Sequence, residues 1–327
     1  MAQVAVIGSG WGTRVQVPTF REAGLDVFSF RGHDWRSAVA SDAELVSIVT
    51  PPFTHVEIAL AALAGGKHVL CEKPVAVNAA EAKRLVAAAG EHRGRITLID
   101  HELRFLPSFV EARRRIAELG RIRYIETRYS SPSRGDRSRE WTWWSDAAQG
   151  GGVWGAVGSH FVDAIRYLSG IEIAAAQASV NTIISERSGR EVTSDDFTAV
   201  HLRLSTGAIA AMTFSAVGSG PDEPSTITIH CEDGALRLMA AELLFARRGE
   251  PFARVAGEDP PQRAGNSMGG AFGSGTLELG RAIRRALEDD DRSGLAAAAT
   301  FEDGLAHQRV LDAARVSEAN DGRWVSV

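Results

Sequence analysis

Short apolar runs alternate with helical patterns over the first ~120 residues. Val4–Ile7, Val27–Phe30, Leu45–Val49, His68–Leu70 and Arg95–Ile99 each read as a buried strand, and 3.6-residue periodicity fills most of the intervals. Two helix starts are marked by a capping residue three positions before a glutamate, Thr54 with Glu57 and Asn78 with Glu81. The connection around Gly32–Ala40 is short and carries the weakest helical pattern. Strands alternating with helices predict a parallel sheet covered on both faces.

After Gly120 the texture changes. A strand-like run over Ile122–Tyr129 enters a Ser/Arg/Trp-rich segment, then a glycine triplet and a long helical pattern from Gly152 to Leu168. Five further alternating runs follow: Ala176–Ile184, Phe197–Leu204, Ala208–Phe214, Ser225–His230 and Ala235–Met239. Turn-like links such as Ser205-Thr206-Gly207 and Glu232-Asp233-Gly234 predict antiparallel hairpins. Residues 249–275, rich in Gly and Pro, read as a loop, and helices are expected over Thr276–Glu288 and Leu295–Glu318. The expected fold class is α/β: a doubly wound parallel sheet over residues 1–121, then an α+β domain with a large, mostly antiparallel open sheet over 122–327.

Composition narrows the chemistry. The 327 residues suffice for two cores, and the net charge of −5 leaves no electrostatic footprint for nucleic acid. Cys71 and Cys231 lack metal-ligand spacing, and the nine histidines are scattered along the sequence with no His-x-x-Glu-His motif or paired Cys/His spacing, so no metal is expected. No stretch approaches the ~20 apolar residues of a membrane span. A strand-like run beginning at Gln3 leaves no room for a signal region, so a cytoplasmic location is expected.

The first strand runs into Gly8-Ser9-Gly10-Trp11-Gly12-Thr13 and then a helix. A dinucleotide pyrophosphate requires this combination: a tight turn, close backbone approach and free N–H groups where a helix starts. The fingerprint is imperfect, because Gly12 comes one residue early and Thr13 occupies the usual third position. The second strand ends in Ser29-Phe30-Arg31, with no carboxylate at its exit. A carboxylate would repel a 2′-phosphate, whereas Ser29 and Arg31 can bind one, so NADP is expected over NAD. Asp34 lies within reach of a ribose, which keeps NAD open.

Among the 36 basic residues only three are lysine, and Lys73 sits in Cys71-Glu72-Lys73-Pro74. Lysine, unlike arginine, can release its proton in a suitable environment, which suits it to proton chemistry.

The glycine loop, Thr50-Pro51-Pro52 with His55, and Glu72-Lys73-Pro74 together resemble the glucose–fructose oxidoreductase/inositol dehydrogenase (Gfo/Idh/MocA) family. So do Arg104-Phe105-Leu106-Pro107, and the path from Gly150-Gly151-Gly152 to Gly158-Ser159-His160 and Asp163. The resemblance covers the whole chain. It implies a Rossmann domain, an open-sheet domain and a nicotinamide held between them. The implied activity is hydride exchange with a hydroxyl–carbonyl pair on a sugar or polyol, often in a homodimer or homotetramer, here through the C-terminal sheet. It also implies that Gly8, Gly10, Trp11, Gly12, Thr50, Pro51 and His55 line the cofactor, with Glu72 at the nicotinamide ribose. Lys73 is then placed beside the reacting carbon and His160 nearest the substrate hydroxyl. An imidazole titrates near neutrality, and an ammonium stabilises a developing alkoxide.

One position departs from that pattern. Family dehydrogenases commonly place an aspartate one helical turn before the histidine, where this chain has Ala156. Asp163, three residues after His160, is the alternative orienting group, or else a surface partner of Arg166. Arg104 is a candidate substrate contact or a salt-bridge residue. Trp144, with Trp141 and Trp143, offers stacking surface for a sugar ring or a hydrophobic anchor. Two other readings stay open: a cofactor-dependent glycosidase or lyase with no net redox change, and a non-catalytic NADP-binding sensor.

Overall fold

The computed structural model describes residues 1–221, 223–239, 242–255 and 267–327. Two compact units emerge, residues 1–106 with 269–308, and residues 107–268 with 309–327.

The first unit is built on five parallel strands, β1 (Gln3–Ile7), β2 (Asp26–Phe30), β3 (Leu45–Ile48), β4 (His68–Cys71) and β5 (Thr97–Ile99). They lie in the order β5-β4-β3-β1-β2, and a short antiparallel strand, Ala299–Thr300, extends the β5 edge. The order reverses between β1 and β3, so their C-terminal ends open the crevice where such sheets bind ligands. Side-chain alternation explains why both faces are covered. Ala5, Ile7, Val46 and Ile48 pack with Ile58, Leu63 and Leu85 from helices His55–Ala64 and Ala79–Glu91. Val4, Val6, Leu45 and Leu70 point the other way, onto Phe20, Leu279 and Ile283.

In the second unit a nine-stranded sheet is antiparallel except where Ile122–Ser130 pairs in parallel with Ile209–Ser215. Phe214 on its buried face receives Phe161 and Trp154, with ring centroids 5.2 and 5.6 Å away. The opposite face leaves Glu126, Arg128, His201, Arg203 and Thr213 exposed.

Several expectations need correction. A single cut at 121/122 would assign Ala299–Thr300 to the second domain, whereas the strand completes the β5 edge of the first unit's sheet. The expected helix Leu295–Glu318 is a short 3₁₀ turn at Ser293–Leu295, that strand, and a helix over Phe301–Glu318. Within the expected loop 249–275, Ala253–Arg254 is a strand and a helix begins at Ser267, while residues 256–266 lie outside the described residues. The strand Glu242–Arg247 was not expected, because its flanking turn signals are weak.

Of the two helix caps, Asn78 forms as predicted, its Oδ1 accepting the Glu81 N–H at 2.9 Å. Thr54 does not cap. A 3₁₀ turn at Pro52–Thr54 precedes its helix, and the hydroxyl donates instead to the Pro51 carbonyl at 2.8 Å.

Candidate active site

The glycine loop divides its three tasks among its own residues. Gly8 has φ +142°, and a Cβ there would lie 2.3 Å from the Val49 carbonyl oxygen, so β1 turns tightly against the end of β3. Gly10 is exposed, and no atom lies within 4 Å of the position its Cβ would occupy. That open backbone fits a pyrophosphate. Gly12 supplies the close helix–strand packing, since a Cβ would sit 3.1 Å from Val6 and 3.2 Å from Val49. The helix opens with a π turn over Gly12–Gln16, and the Thr13 hydroxyl donates to the Gly8 carbonyl at 3.0 Å. Trp11 is partly buried, edge-on to Phe272. At the exit of β2, Ser29 and Arg31 are exposed, while Asp34 pairs with His33 at 3.5 Å.

The loop after β3 is braced by His55. Its ring is fully buried, with Nε2 2.8 Å from the Thr50 carbonyl and Nδ1 3.0 Å from the Pro74 carbonyl. His55 therefore ties Thr50 and Pro51 to the residue after Lys73. A neutral imidazole can donate to only one of the two carbonyls. Protonation would satisfy both, but burial outweighs that gain and holds the group at about 4. The ordinary value is near 6.5, so the stability tied to neutral His55 is fully present above that pH. It is lost as pH falls toward 4, by about 3 kcal/mol in all. Thermal melts across this range should show the loss in the wild type and a smaller one in His55→Gln. Parallel pH profiles for the two proteins would refute this account.

Glu72 and Lys73 follow directly from β4, both partly buried. Behind them lies a network the sequence reading missed. Ser47 Oγ donates to Gln16 Oε1 at 2.6 Å, which orients the amide so that Nε2 faces two carboxyls. It reaches Asp100 Oδ2 at 2.7 Å and Glu72 Oε1 at 3.2 Å, and Glu72 Oε2 accepts the Lys73 N–H at 3.3 Å. Burial raises both carboxyls; the Asp100 charge raises Glu72 further, and Lys73 opposes the rise in both. Asp100 carried a faint signal, an acidic residue at the exit of a short apolar strand. Gln16 carried none, being a polar residue on an otherwise ordinary helical stretch.

Arg104, a candidate substrate contact, is buried, pairs with Asp303 at 3.3 Å and donates to the Ala297 carbonyl at 3.3 Å. These contacts brace the segment that carries the Ala299–Thr300 strand.

The second unit carries His160 on helix Ser159–Ser169, entered through a π turn at Trp154–Gly158. Asp195 builds that entry. Its Oδ2 accepts the Trp154 N–H at 2.7 Å and the Thr198 hydroxyl at 2.9 Å, and its carbonyl accepts the Val153 N–H at 2.9 Å. The glycine triplet makes room for this. A Cβ on Gly152, at φ +104°, would lie 2.1 Å from Asp195 Oδ1, and one on Gly151 2.2 Å from the Trp144 carbonyl oxygen. His160 and Asp163 are buried at 4% and 1% exposure, and Ala156 is buried as well. Burial does not suit Asp163 to a surface pair. Trp144 is partly buried, with the Arg134 guanidinium 4.3 Å above its ring. Trp141 lies under Arg190 at 3.4 Å and donates to the Glu191 carbonyl, which makes it part of the loop's own scaffold.

Comparison with known proteins agrees with these features. Residues 16–99 match the model of the oxidoreductase family, NAD-binding Rossmann fold, and residues 109–237 match the GFO/IDH/MocA C-terminal domain. Glucose-fructose oxidoreductase domain-containing protein 2 of Bos taurus is 27% identical over 365 aligned positions, covering 99% of this chain and 93% of the bovine protein. In fold, the chain is similar to a levoglucosan dehydrogenase in complex with NADH, at TM-score 0.86 and 22% identity, covering 100% of this chain and 99% of that one. It is similar also to an inositol dehydrogenase homolog from Azotobacter vinelandii complexed with NADH and myo-inositol. That likeness has TM-score 0.78 and 19% identity, over 100% of this chain and 97% of the other. No described helix is long and apolar enough to cross a membrane. With the NAD-binding model matching the Rossmann unit and the C-terminal model matching the open-sheet unit, this chain belongs to the Gfo/Idh/MocA oxidoreductase family.

Proposed function

We propose that this protein transfers a hydride between a nicotinamide cofactor, preferentially NADP, and a hydroxyl–carbonyl pair on a sugar, polyol or related small molecule. The observation that carries the reading is Lys73, held at the end of β4 on a buried amide–carboxyl network in a sheet whose glycine loop leaves Gly10 open. The bound nicotinamide supplies the hydride donor or acceptor. Gly8, Gly10, Gly12 and Trp11 would hold the dinucleotide, with Thr50, Pro51 and Glu72 toward its nicotinamide end. Lys73 stabilises the oxyanion that develops as the substrate C–H bond is made or broken, and its ammonium relays a proton there. His160 takes or returns the hydroxyl proton, with Asp163 as its orienting group in place of the carboxylate absent at Ala156. Ionic stabilisation and positioned proton transfer each act where charge develops, which is where they lower a barrier.

The preference for NADP rests on Ser29 and Arg31, exposed at the β2 exit with no carboxylate beside them. Side-by-side assays with NAD and NADP over a panel of sugars and polyols test both halves of the proposal. Expected are net cofactor reduction with at least one substrate and tighter binding of NADP, with Arg31→Ala weakening NADP by roughly tenfold or more and leaving NAD nearly unchanged. Tighter NAD binding would overturn the cofactor assignment. Product without net nicotinamide change would instead favour the glycosidase or lyase route, and tight cofactor binding without turnover the sensor.

The exposed face of the nine-stranded sheet forms a shallow concavity of about 390 Å³ lined by Glu126, Ala199, His201, Thr213 and Arg237, among others. We propose this face as a homo-oligomer interface. Light scattering on the purified protein should give a dimer or tetramer mass, and a monomer at micromolar concentration would exclude it.

A further inference from the structure

The carboxyls at the exits of β4 and β5 are held close together on one buried donor, an arrangement that disfavours two full charges. Asp100 Oδ2 and Glu72 Oε1 take hydrogen bonds from the same Gln16 nitrogen, at 2.7 and 3.2 Å, which holds the two carboxyls side by side. Two carboxylates held this close in a buried site repel one another, and a proton on one of them removes that repulsion and lets it donate to the other. The amide cannot reverse to relieve this, because its oxygen is occupied by the Ser47 hydroxyl. Asp100 has no exposed surface, so bulk solvent does not screen its charge directly.

We propose that Glu72 and Asp100 hold one proton between them, and that Asp100, acting through Glu72, is a positioning residue that keeps the negative charge behind Lys73 near one. The charged groups that face the pair come from each packed element. Lys73 lies on the β4 exit and Glu102 on the β5 exit, while Gln16 from the first helix and Ser47 from β3 are neutral. Glu102 is itself buried, and burial first, then the charges of Asp100 and Glu72, raises it well above the carboxylate range. A second full carboxylate charge would hold an ammonium proton more tightly and hinder its release to a developing alkoxide. The shared proton prevents this until the pH rises far enough to remove it.

The consequence for turnover rests on the oxidoreductase reading; the sharing itself does not. Carboxyl-carbon NMR of protein labelled at Asp and Glu, titrated from pH 5 to 9, decides the proposal whether or not a substrate is known. Expected is one of Glu72 and Asp100 still protonated at pH 7 in the wild type, with the Glu102 signal identified by its absence in Glu102→Gln. Asp100→Asn removes the neighbouring charge, so the Glu72 titration should move to lower pH by about one unit or more. Both carboxyls ionised below pH 6, or a Glu72 titration unmoved in Asp100→Asn, would overturn it. The wild-type titration does not depend on Asp100→Asn, so a poorly folding Asp100→Asn leaves the test intact. With a substrate in hand, the alkaline fall in kcat that the second charge would cause should be lost or moved to higher pH in Asp100→Asn, and an unchanged profile would break the link to Lys73. Absence of turnover in the wild type is decided by the substrate panel and counts against the oxidoreductase reading alone.

Discussion

Lys73→Met should lower kcat by roughly 10²- to 10⁴-fold, the span that a positioned proton-transferring group supplies. Methionine keeps the unbranched stem and discards the charge, so the glycine loop and the cofactor dissociation constant should change little. Lys73→Arg separates two contributions. Arginine retains a positive charge for the oxyanion but does not give up its proton near neutral pH. A Lys73→Arg enzyme with nearly full activity would confine Lys73 to electrostatics. A Lys73→Met enzyme within a few-fold of wild type would remove it from the mechanism altogether. A cofactor affinity that collapses in Lys73→Met would recast the residue as a binding group.

Asp195→Ala carries the largest expected effect on stability. The carboxylate is buried at 6% exposure and accepts from the Trp154 N–H and the Thr198 hydroxyl at the start of the His160 helix. Truncation leaves two buried donors without an acceptor, at roughly 1–3 kcal/mol each, so a loss of about 3 kcal/mol is expected. Relaxation and entering water should keep it from the upper end. For a unit of this size, that corresponds to a drop in Tm of roughly 6–12 °C. Asp195→Asn keeps an acceptor oxygen and should cost much less. Gly152→Ala tests the same contact from the other side, since its Cβ would fall 2.1 Å from Asp195 Oδ1 at a backbone angle that disfavours any side chain. An Asp195→Ala protein that melts within 2 °C of wild type by this scale would show that the helix entry is held by other means.

How much of this was legible in the chain depends on the range of the interaction concerned. The parallel sheet was readable because β1 to β5 are short buried runs separated by helical periodicity, both consequences of local side-chain alternation. The Asn78 cap was readable for the same reason, since its partner lies three residues away. Thr54 carried the same signature and failed, because proline-rich residues 51–52 turn the chain before the helix and give its hydroxyl a nearer carbonyl. Glu72, Lys73 and His160 were found through motifs, which mark positions but not surroundings.

By itself, the sequence determined which segments become most of the strands and helices, which family pattern the chain follows, and where the candidate side chains lie along it. All of these are written in neighbouring residues. Only the tertiary structure decided what stands around those side chains. Gln16, Ser47, Glu72 and Asp100 are separated by up to 84 positions and converge because β1, β3, β4 and β5 end at one edge of the sheet. Asp195 reaches the Trp154 N–H across 41 positions. The placing of Ala299–Thr300 beside β5 likewise follows from strand pairing across 200 residues. Long-range hydrogen bonds and burial leave no local period in a sequence, so the chemistry that depends on them becomes visible only once the chain is folded.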